Sequence, residues 1–306
     1  MVSLEDIQKI FRGRIALSEP LKEYTWFRIG GPADYYLEPT DREDVVNIVG
    51  YFQAQQFPFT ILGKGSNVLV SDDGIRGAVI NLGNALSSVH AEGNRVYADA
   101  GVTLVRFVDY CVQRGLKGVE MLAGIPGTIG GALIMNAGAY GGEISTHVAD
   151  VEVLRDGVLR ILKKSEITFS YRKSSFRDEV ILGAGFDLPP GDREEIVRIR
   201  KELLLKRNRT QPTNMPNSGS MFKNPEGNFA ARLIEQAGLK GMRIGEAQIS
   251  EKHANFMVNL GGASASNVLD LIRLAQKTVL EKFDIRLELE VKLLGFNDQT
   301  SRGNAR

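Results

Sequence analysis

"AGIPGTIGGALIMNAGAYGG", residues 123–142, carries glycine at Gly124, Gly127, Gly130, Gly131, Gly138, Gly141 and Gly142. Each glycine costs backbone entropy, and several together weaken any helix or strand that holds them. The stretch is therefore a place where the backbone itself must turn sharply, be exposed or be closely approached. A second, shorter loop has the same character: "GKGSN" sets Gly63, Gly65, Ser66 and Asn67 between the β-rich runs "FPFTIL" and "VLVSD". Consecutive main-chain N–H groups in such loops form a concavity for an anion without needing a lysine. Neither loop has the spacing of a dinucleotide-binding G-x-G-x-x-G turn or of a Walker A loop. From the residues alone, both also read as structural turns in a tightly packed β region.

The flanking sequence mixes helix and strand patterns without a regular β-α-β rhythm. "TDREDVVNIVGYFQAQQ" predicts a helix opened by a capping box between Thr40 and Glu43. "GAVINL", "NRVYADAG" and "EVILGAGFDL" read as strands, and "TLVRFVDYCVQRG" as a helix running from Thr103 to a cap at Gly115. "DVEVLRDGVLRIL" predicts a hairpin turning on Asp156-Gly157. "DREEIVRIRKELLLKRNR" reads as a long helix, acidic at its start and basic at its end, as the helix dipole favours. The proline-rich "TQPTNMPNSGSMFKNPEG" predicts a domain junction or functional loop. After it come a helix in "NFAARLIEQAG", a strand in "ANFMVNLG", a helix in "SASNVLDLIRLAQKTVLEKF" and a last strand in "IRLELEVKLLGF". The strand-rich middle favours an α+β fold over a doubly wound sheet.

With 306 residues, 43% of them hydrophobic and 25% charged, the chain can bury a large core in one to three domains. A formal net charge of +1 gives no general attraction to nucleic acid or an anionic membrane, and leaves room for a local anion pocket. The single cysteine, Cys111, excludes an internal disulfide framework and a cysteine-rich zinc site; in its apolar-periodic run it reads as a buried spectator thiol. His90 and His147 show no metal-ligand spacing with any acidic partner, so no metal is expected, and His253 in "EKHANFMVN" reads as a satisfied structural histidine. No apolar run approaches a membrane span, and "MVSLEDIQKIFRG" lacks a charged-then-apolar signal pattern. These features predict a cytoplasmic protein with no membrane, nucleic-acid or obligate protein partner.

Seven motifs carry a resemblance: "TWFRIGGPADYYLEP", "LGKGSNVLVSD", "AGIPGTIGGALIMNAGAYG", "FSYRKSSF", "SGSMFKNP", "HANFMVNLG" and "LELEVKLLG". In this order, across about residues 20–296, the chain resembles the UDP-N-acetylenolpyruvoylglucosamine reductases, bacterial flavoenzymes of peptidoglycan precursor synthesis. The resemblance implies an α+β fold with a two-lobed FAD-binding domain of the vanillyl-alcohol-oxidase type and a smaller α+β substrate-binding domain. The implied lobes are 1–81 with 287–306, then 82–210, with the substrate domain at 211–286. Implied ligands are non-covalent FAD, NADPH as reductant, and the nucleotide sugar UDP-N-acetylglucosamine enolpyruvate, reduced to UDP-N-acetylmuramate.

The same resemblance assigns residues. Gly63, Gly65, Ser66 and Asn67, with Ile125, Pro126, Gly127, Thr128, Gly130 and Gly131, are expected to line FAD, the second loop near its pyrophosphate. Asn136, Ala137 and Gly138 are expected toward the flavin end. Arg172 is expected to hold the substrate carboxylate, Ser220 to donate the proton, and Glu290 to support the enediol-like intermediate or relay protons. Tyr171, Lys223 and Asn224 are expected substrate contacts. Arg172, Ser220 and Glu290, the implied catalytic residues, are expected to converge at the flavin.

Taken singly, each residue also has an ordinary reading: a surface ion pair for Arg172, a turn serine for Ser220, a solvated strand face for Glu290. Glu288 and Glu290 share one face of the expected last strand, so alternation does not choose between them; the family motif selects Glu290. Leu289 stands where relatives often have proline. No insertion near 173–220 carries a capping tyrosine, so the chain resembles the shorter, second branch of the family. A flavin oxidase of the same fold and a non-catalytic nucleotide-sugar or flavin-binding protein are the rival readings.

Overall fold

The computed structural model describes residues 2–296. They fall into two compact units, each described here by itself. Of the described residues, the first comprises 2–17, 35–64 and 77–206; the second comprises 18–34, 65–76 and 207–296.

The first unit is organised by a five-stranded antiparallel sheet. Its spatial order is Val158–Lys163, Val148–Arg155, Val180–Asp187, Arg95–Asp99, Val89–Glu92. Asp156 and Gly157 turn the expected hairpin with φ of 51° and 71°, the left-handed pair that matches the twist of the flanking strands. The helix Leu104–Gln113 buries Leu104, Phe107, Val108, Cys111 and Val112, one apolar stripe at helical spacing. Phe107 meets Phe186 of the central strand at a 4.7 Å ring separation. Thr103 caps this helix, accepting from Arg106 N–H, and Gly115 follows its end with φ +64°, both as expected.

A second sheet has the order Arg14–Pro20, Pro32–Glu38, Ile75–Asn81, Phe59–Leu62. Phe59–Leu62 runs parallel to Ile75–Asn81. The helix Arg42–Ala54 starts one residue later than the capping box predicted. Asp41, not Thr40, is its cap and accepts from the Asp44 N–H at 2.9 Å. Thr40 instead gives its hydroxyl and N–H to the buried Asp44 carboxylate, while Glu43 meets Arg12 at 3.1 Å. A closer carboxylate at the cap has displaced the longer-range box.

The second unit holds a four-stranded antiparallel sheet, ordered Asn217–Ser220, Phe256–Asn259, Ala247–Ile249, Arg243–Ile244. Helices Ala230–Gln236 and Ala265–Phe283 bury Leu233, Ile234, Leu271, Ile272 and Val279 in its core, with Phe27, Leu69, Met221 and Phe222. The long helix begins at Ser264, whose hydroxyl forms a capping box with Asn267. Asp72 adds a distant cap: its carboxylate takes the N–H groups of Ala265 and Ser266 at 2.7 and 2.9 Å and the Ser266 hydroxyl at 2.8 Å.

The expected last strand is much shorter than its pattern suggested. Only Lys292–Leu294 forms a strand, parallel to Val68–Val70, and Glu288 and Glu290 lie before it. Leu289 makes a single bridge to Phe222. Face-sharing between Glu288 and Glu290 therefore does not follow from strand alternation. Apolar alternation in the sequence marked burial of Leu287 and Val291, not a continuous ladder.

Candidate active site

The short glycine loop leaves Leu62 and returns at Val68. Gly65 has φ +58°, and a Cβ there would stand 2.5 Å from the Tyr24 carbonyl oxygen and 2.7 Å from Thr25 Cα. Both geometry and space demand glycine. The Gly65 carbonyl accepts from Trp26 N–H at 3.1 Å, which fixes the loop from behind. Among the described residues, the N–H groups of Lys64, Gly65 and Ser66 meet no protein acceptor. Three successive free donors around a left-handed residue make an anion nest.

The long glycine stretch divides its glycines among different tasks. Thr128 caps the six-residue helix Ile129–Ile134, its hydroxyl accepting from Gly131 N–H at 3.4 Å. The next two donors are consumed: Ile129 N–H goes to the Val102 carbonyl and Gly130 N–H to that of Ala100, each at 2.9 Å. A Cβ on Gly130 would lie 3.1 Å from Ala100 Cβ, so this glycine serves close packing. Ile125 N–H is spent on Leu122, and Pro126 has none. Of the expected cofactor residues here, Gly127 and Thr128 keep N–H groups without a protein acceptor among the described residues. Gly63 lies against this point, where a Cβ would stand 2.7 Å from Thr128 Oγ1.

Farther along, Asn136 is fully buried with φ +42°. Its side-chain amide donates to Glu143 Oε2 at 2.7 Å and to the Ser170 carbonyl at 3.0 Å. The N–H groups of Asn136 and Ala137 are taken by Leu133 and Ala132. Gly138–Ala139 pairs with Gly142–Glu143, and a Cβ on Gly138 would lie 2.1 Å from the Gly142 carbonyl oxygen. Arg172 occupies the turn of a matching miniature hairpin, Phe169–Ser170 with Lys173–Ser174, at φ +56°. Its guanidinium donates to the Gly138 carbonyl at 2.8 Å and lies 4.9 Å over the ring of the half-exposed Tyr171. Expected residues 136–138 and 171–172 thus form one connected group in the first unit.

Ser220, Lys223, Asn224 and Glu290 belong to the second unit with Gly65, Ser66 and Asn67. Ser220 ends its strand opposite Phe256, after Gly219 at φ +75° breaks the register. The next residue, Met221, accepts the Glu290 N–H at 2.8 Å, and Asn67 Nδ2 donates to the Glu290 carbonyl at 3.1 Å. The Asn67 side chain and Met221, next to Ser220, thereby hold the backbone of Glu290. Lys223 ion-pairs with Glu288, and its N–H donates to the Glu288 carbonyl at 2.8 Å. Asn224 Oδ1 accepts from Ala230 N–H at 3.0 Å, at the start of a helix. Glu288, left unassigned by the motif, is the partner of Lys223.

Asn255, in the "EKHANFMVN" run but given no role from the sequence, holds the chain just after Ser220. Asn255 accepts the Phe222 N–H at 3.0 Å and donates to the Phe222 carbonyl at 2.8 Å, mimicking a strand partner. Its neighbour His253 packs edge-on to Phe256 at 4.9 Å, and burial pulls its pKa down. His253 Nδ1 is buried without a hydrogen-bond partner, unlike the satisfied structural histidine expected. Cys111 is fully buried, and that burial, then the Glu120 charge, pushes its thiol up to about 12. Among the described residues no cluster of three metal-ligating side chains occurs, and no helix is long and apolar enough to cross a membrane.

Residues 33–161 match the model of the FAD binding domain, and residues 211–294 that of the UDP-N-acetylenolpyruvoylglucosamine reductase C-terminal domain. A UDP-N-acetylenolpyruvoylglucosamine reductase of Chloroherpeton thalassium is 46% identical, over 99% of this chain and 100% of its own. The chain belongs to the UDP-N-acetylenolpyruvoylglucosamine reductase family. A second member of the family, from Caldanaerobacter subterraneus subsp. tengcongensis, is 43% identical over 96% of this chain and 98% of its own. The crystal structure of the Thermus caldophilus reductase (MurB) superposes with a TM-score of 0.79 at 37% identity, covering 92% of this chain and 99% of that one. The expected α+β class holds, with an FAD-binding domain joined to a family-specific C-terminal domain. Ser220, Lys223, Asn224 and Glu290 fall within the C-terminal match, whereas Arg172 lies outside both matched segments.

Proposed function

We propose that this FAD-containing oxidoreductase reduces UDP-N-acetylglucosamine enolpyruvate to UDP-N-acetylmuramate at the expense of NADPH, a step of peptidoglycan precursor synthesis. The observation that carries the reading is the full-length likeness to reductases of that name. The nest at Lys64–Ser66 suits a phosphate group on a chain of net charge +1, and Gly127 and Thr128 offer donors of the same kind. Gly63 and Gly65 leave the room that Thr128 and Tyr24–Thr25 fill, and this packing shapes the loop that presents the donors. When bound, FAD supplies hydride transfer, from nicotinamide to the enolpyruvyl double bond.

The remaining work falls to side chains. Hydride arriving at the terminal carbon leaves negative charge beside the substrate carboxylate. Arg172 would grip that carboxylate, because a guanidinium stays charged and binds bidentately. Ser220 would hold a proton for the adjacent carbon; a hydroxyl is a weak acid, but an enolate is basic enough to take its proton. Glu290 would support the charged intermediate or relay the proton. Lys223, Asn224 and Tyr171 would contact the nucleotide sugar, Lys223 exchanging Glu288 for a diphosphate oxygen.

We assign roles to 1–81 with 287–306 and to 82–210 as FAD lobes, and to 211–286 as the substrate domain. Residues 297–306 of the first lobe lie outside the described residues. This partition by role differs from the partition by compactness, which groups 65–76 with the residues from Arg207 onward. A cytoplasmic location accords with a nucleotide-sugar substrate and a nicotinamide reductant. The test is anaerobic spectroscopy of the FAD-loaded protein. NADPH should bleach the flavin band and the enolpyruvyl sugar should restore it. Failure to bind FAD refutes the reading, and bleaching without recovery refutes the assigned substrate.

A further inference from the structure

Arg172 sits at the tip of a hairpin with only two residues in each strand, too short to hold a shape unaided. Its position must come from outside the hairpin. Three hydrogen bonds supply it. Asn136 Nδ2 donates to the Ser170 carbonyl at 3.0 Å, Ser174 Oγ donates to the Ile134 carbonyl at 2.8 Å, and Arg172 itself donates to the Gly138 carbonyl at 2.8 Å. All three link the hairpin to the segment 134–138.

The Asn136 contact differs from the others because Asn136 is itself held. One amide hydrogen goes to Ser170, the other to Glu143 Oε2 at 2.7 Å, and Oδ1 accepts the Ser145 N–H at 3.4 Å. Two acceptors on one side and a donor on the other fix the amide orientation without ambiguity. The group is fully buried, so a lost partner would not be replaced by water without cost. The left-handed φ of +42° is one that asparagine tolerates better than most residues. Glu143 is in turn fixed by pairing opposite Gly138, whose carbonyl receives Arg172. The links close a ring: Arg172 to Gly138, Gly138 to Glu143, Glu143 to Asn136, Asn136 to Ser170, and Ser170 by two peptide bonds back to Arg172.

We propose that Asn136 and Glu143 are positioning residues for Arg172, acting on the Ser170 carbonyl to hold the guanidinium where it receives the substrate carboxylate. The proposal rests on the carboxylate-binding role given to Arg172 above. Its chemistry is specific. Aspartate at 136 keeps the size and the backbone conformation, but turns oxygen toward two oxygens and removes both donated bonds. Glutamine at 143 still presents an acceptor oxygen to the Asn136 amide, and alanine does not.

The experiment uses FAD-loaded wild type, Asn136→Asp, Glu143→Ala, Glu143→Gln, Arg172→Ala and the Asn136→Asp/Arg172→Ala double variant. Four quantities are read: melting temperature, the rate of flavin reduction by NADPH, the rate of reoxidation by the enolpyruvyl sugar, and calorimetric affinity of the oxidised protein for that sugar. A misplacement of about 1 Å costs about 100-fold in rate. Reoxidation should therefore slow by roughly 10- to 100-fold in Asn136→Asp and Glu143→Ala, with weaker sugar binding, and in Glu143→Ala the NADPH step should change little. Glu143→Gln should recover most of the loss, and the double variant should be no slower than Arg172→Ala. Equal slowing of both half-reactions in Glu143→Ala, no rescue by glutamine, or multiplying losses in the double variant each overturn the positioning role. Should Asn136→Asp not fold, the Glu143 alanine–glutamine pair decides alone. Wild-type reoxidation in Arg172→Ala would instead overturn the role of Arg172 beneath it.

Discussion

Replacing Gly65 by alanine separates what its conformation costs from what its surroundings forbid. Gly65 and Gly93 share a φ of +58°, but a Cβ on Gly93 meets nothing within 4 Å, whereas one on Gly65 meets Tyr24 O at 2.5 Å and Thr25 Cα at 2.7 Å. Gly93→Ala therefore reports the left-handed penalty alone, about 1–2 kcal/mol. Gly65→Ala adds overpacking against main-chain atoms that cannot rotate away, about 1–3 kcal/mol more. That extra strain has two places to appear. If the loop keeps its shape, stability falls. If the loop relaxes, the nest at Lys64–Ser66 opens and FAD binding must restore it, with each ~1.4 kcal/mol raising the dissociation constant tenfold. Urea unfolding and FAD titration of both variants measure the two parts. Gly93→Ala should leave FAD affinity unchanged, while Gly65→Ala should lose at least about 1 kcal/mol more in stability and affinity combined. If the two variants match in both measurements, the loop is not under the contacts described, and the nest loses its structural basis.

Other substitutions probe other links. Ser220→Ala should leave flavin reduction by NADPH intact and slow reoxidation by the enolpyruvyl sugar about 100-fold or more, read by anaerobic stopped flow; equal loss in both steps excludes a proton-donor role. Asp72→Ala removes the distant cap on Ala265–Phe283 and should cost about 1–2 kcal/mol in a thermal melt, with Asp72→Asn intermediate because it keeps one acceptor. Cys111 should resist thiol reagents until the protein unfolds. Its thiol rises from 9.0 to about 12 on folding, so the native state holds the proton more tightly than the unfolded state does. Stability from this group is full below pH 9 and falls as pH climbs toward 12, by about 1.4 kcal/mol per unit, relative to Cys111→Ala.

Where a local physical rule had one strong solution, the sequence carried the fold legibly. Asp156-Gly157 turned as expected because two positive φ values leave few other residue pairs. Thr103 and Gly115 bounded their helix because cap and stop act within one turn of the chain. The misses occurred where distant groups competed. Thr40 lost its cap to Asp41 because the buried Asp44 carboxylate needed its donors, including Arg12 N–H from another segment at 3.0 Å. The strand expected around Glu290 was cut short because Met221 and Asn67 take its backbone groups one at a time. Neither partner is visible from the local pattern.

The glycine stretch shows why motif density alone says little about which atoms meet a ligand. Gly130 has its N–H spent on Ala100 and its missing Cβ spent on packing against the same residue. Gly138 is required by the Gly142 carbonyl across a hairpin. Gly127 belongs to the same run, yet its N–H meets no protein acceptor among the described residues. In the short loop, the N–H groups left without a protein acceptor among the described residues belong to Lys64, Gly65 and Ser66, only one of them a glycine. An anion is thus recognised by the donors that packing leaves over, and glycine density marks the packing that arranges them. Alanine at Gly130 should accordingly act on stability first, through the 3.1 Å contact with Ala100, and on FAD affinity only through displacement of Thr128. Loss of FAD affinity with an unchanged melting temperature in that variant would mean that Gly130 meets the cofactor directly.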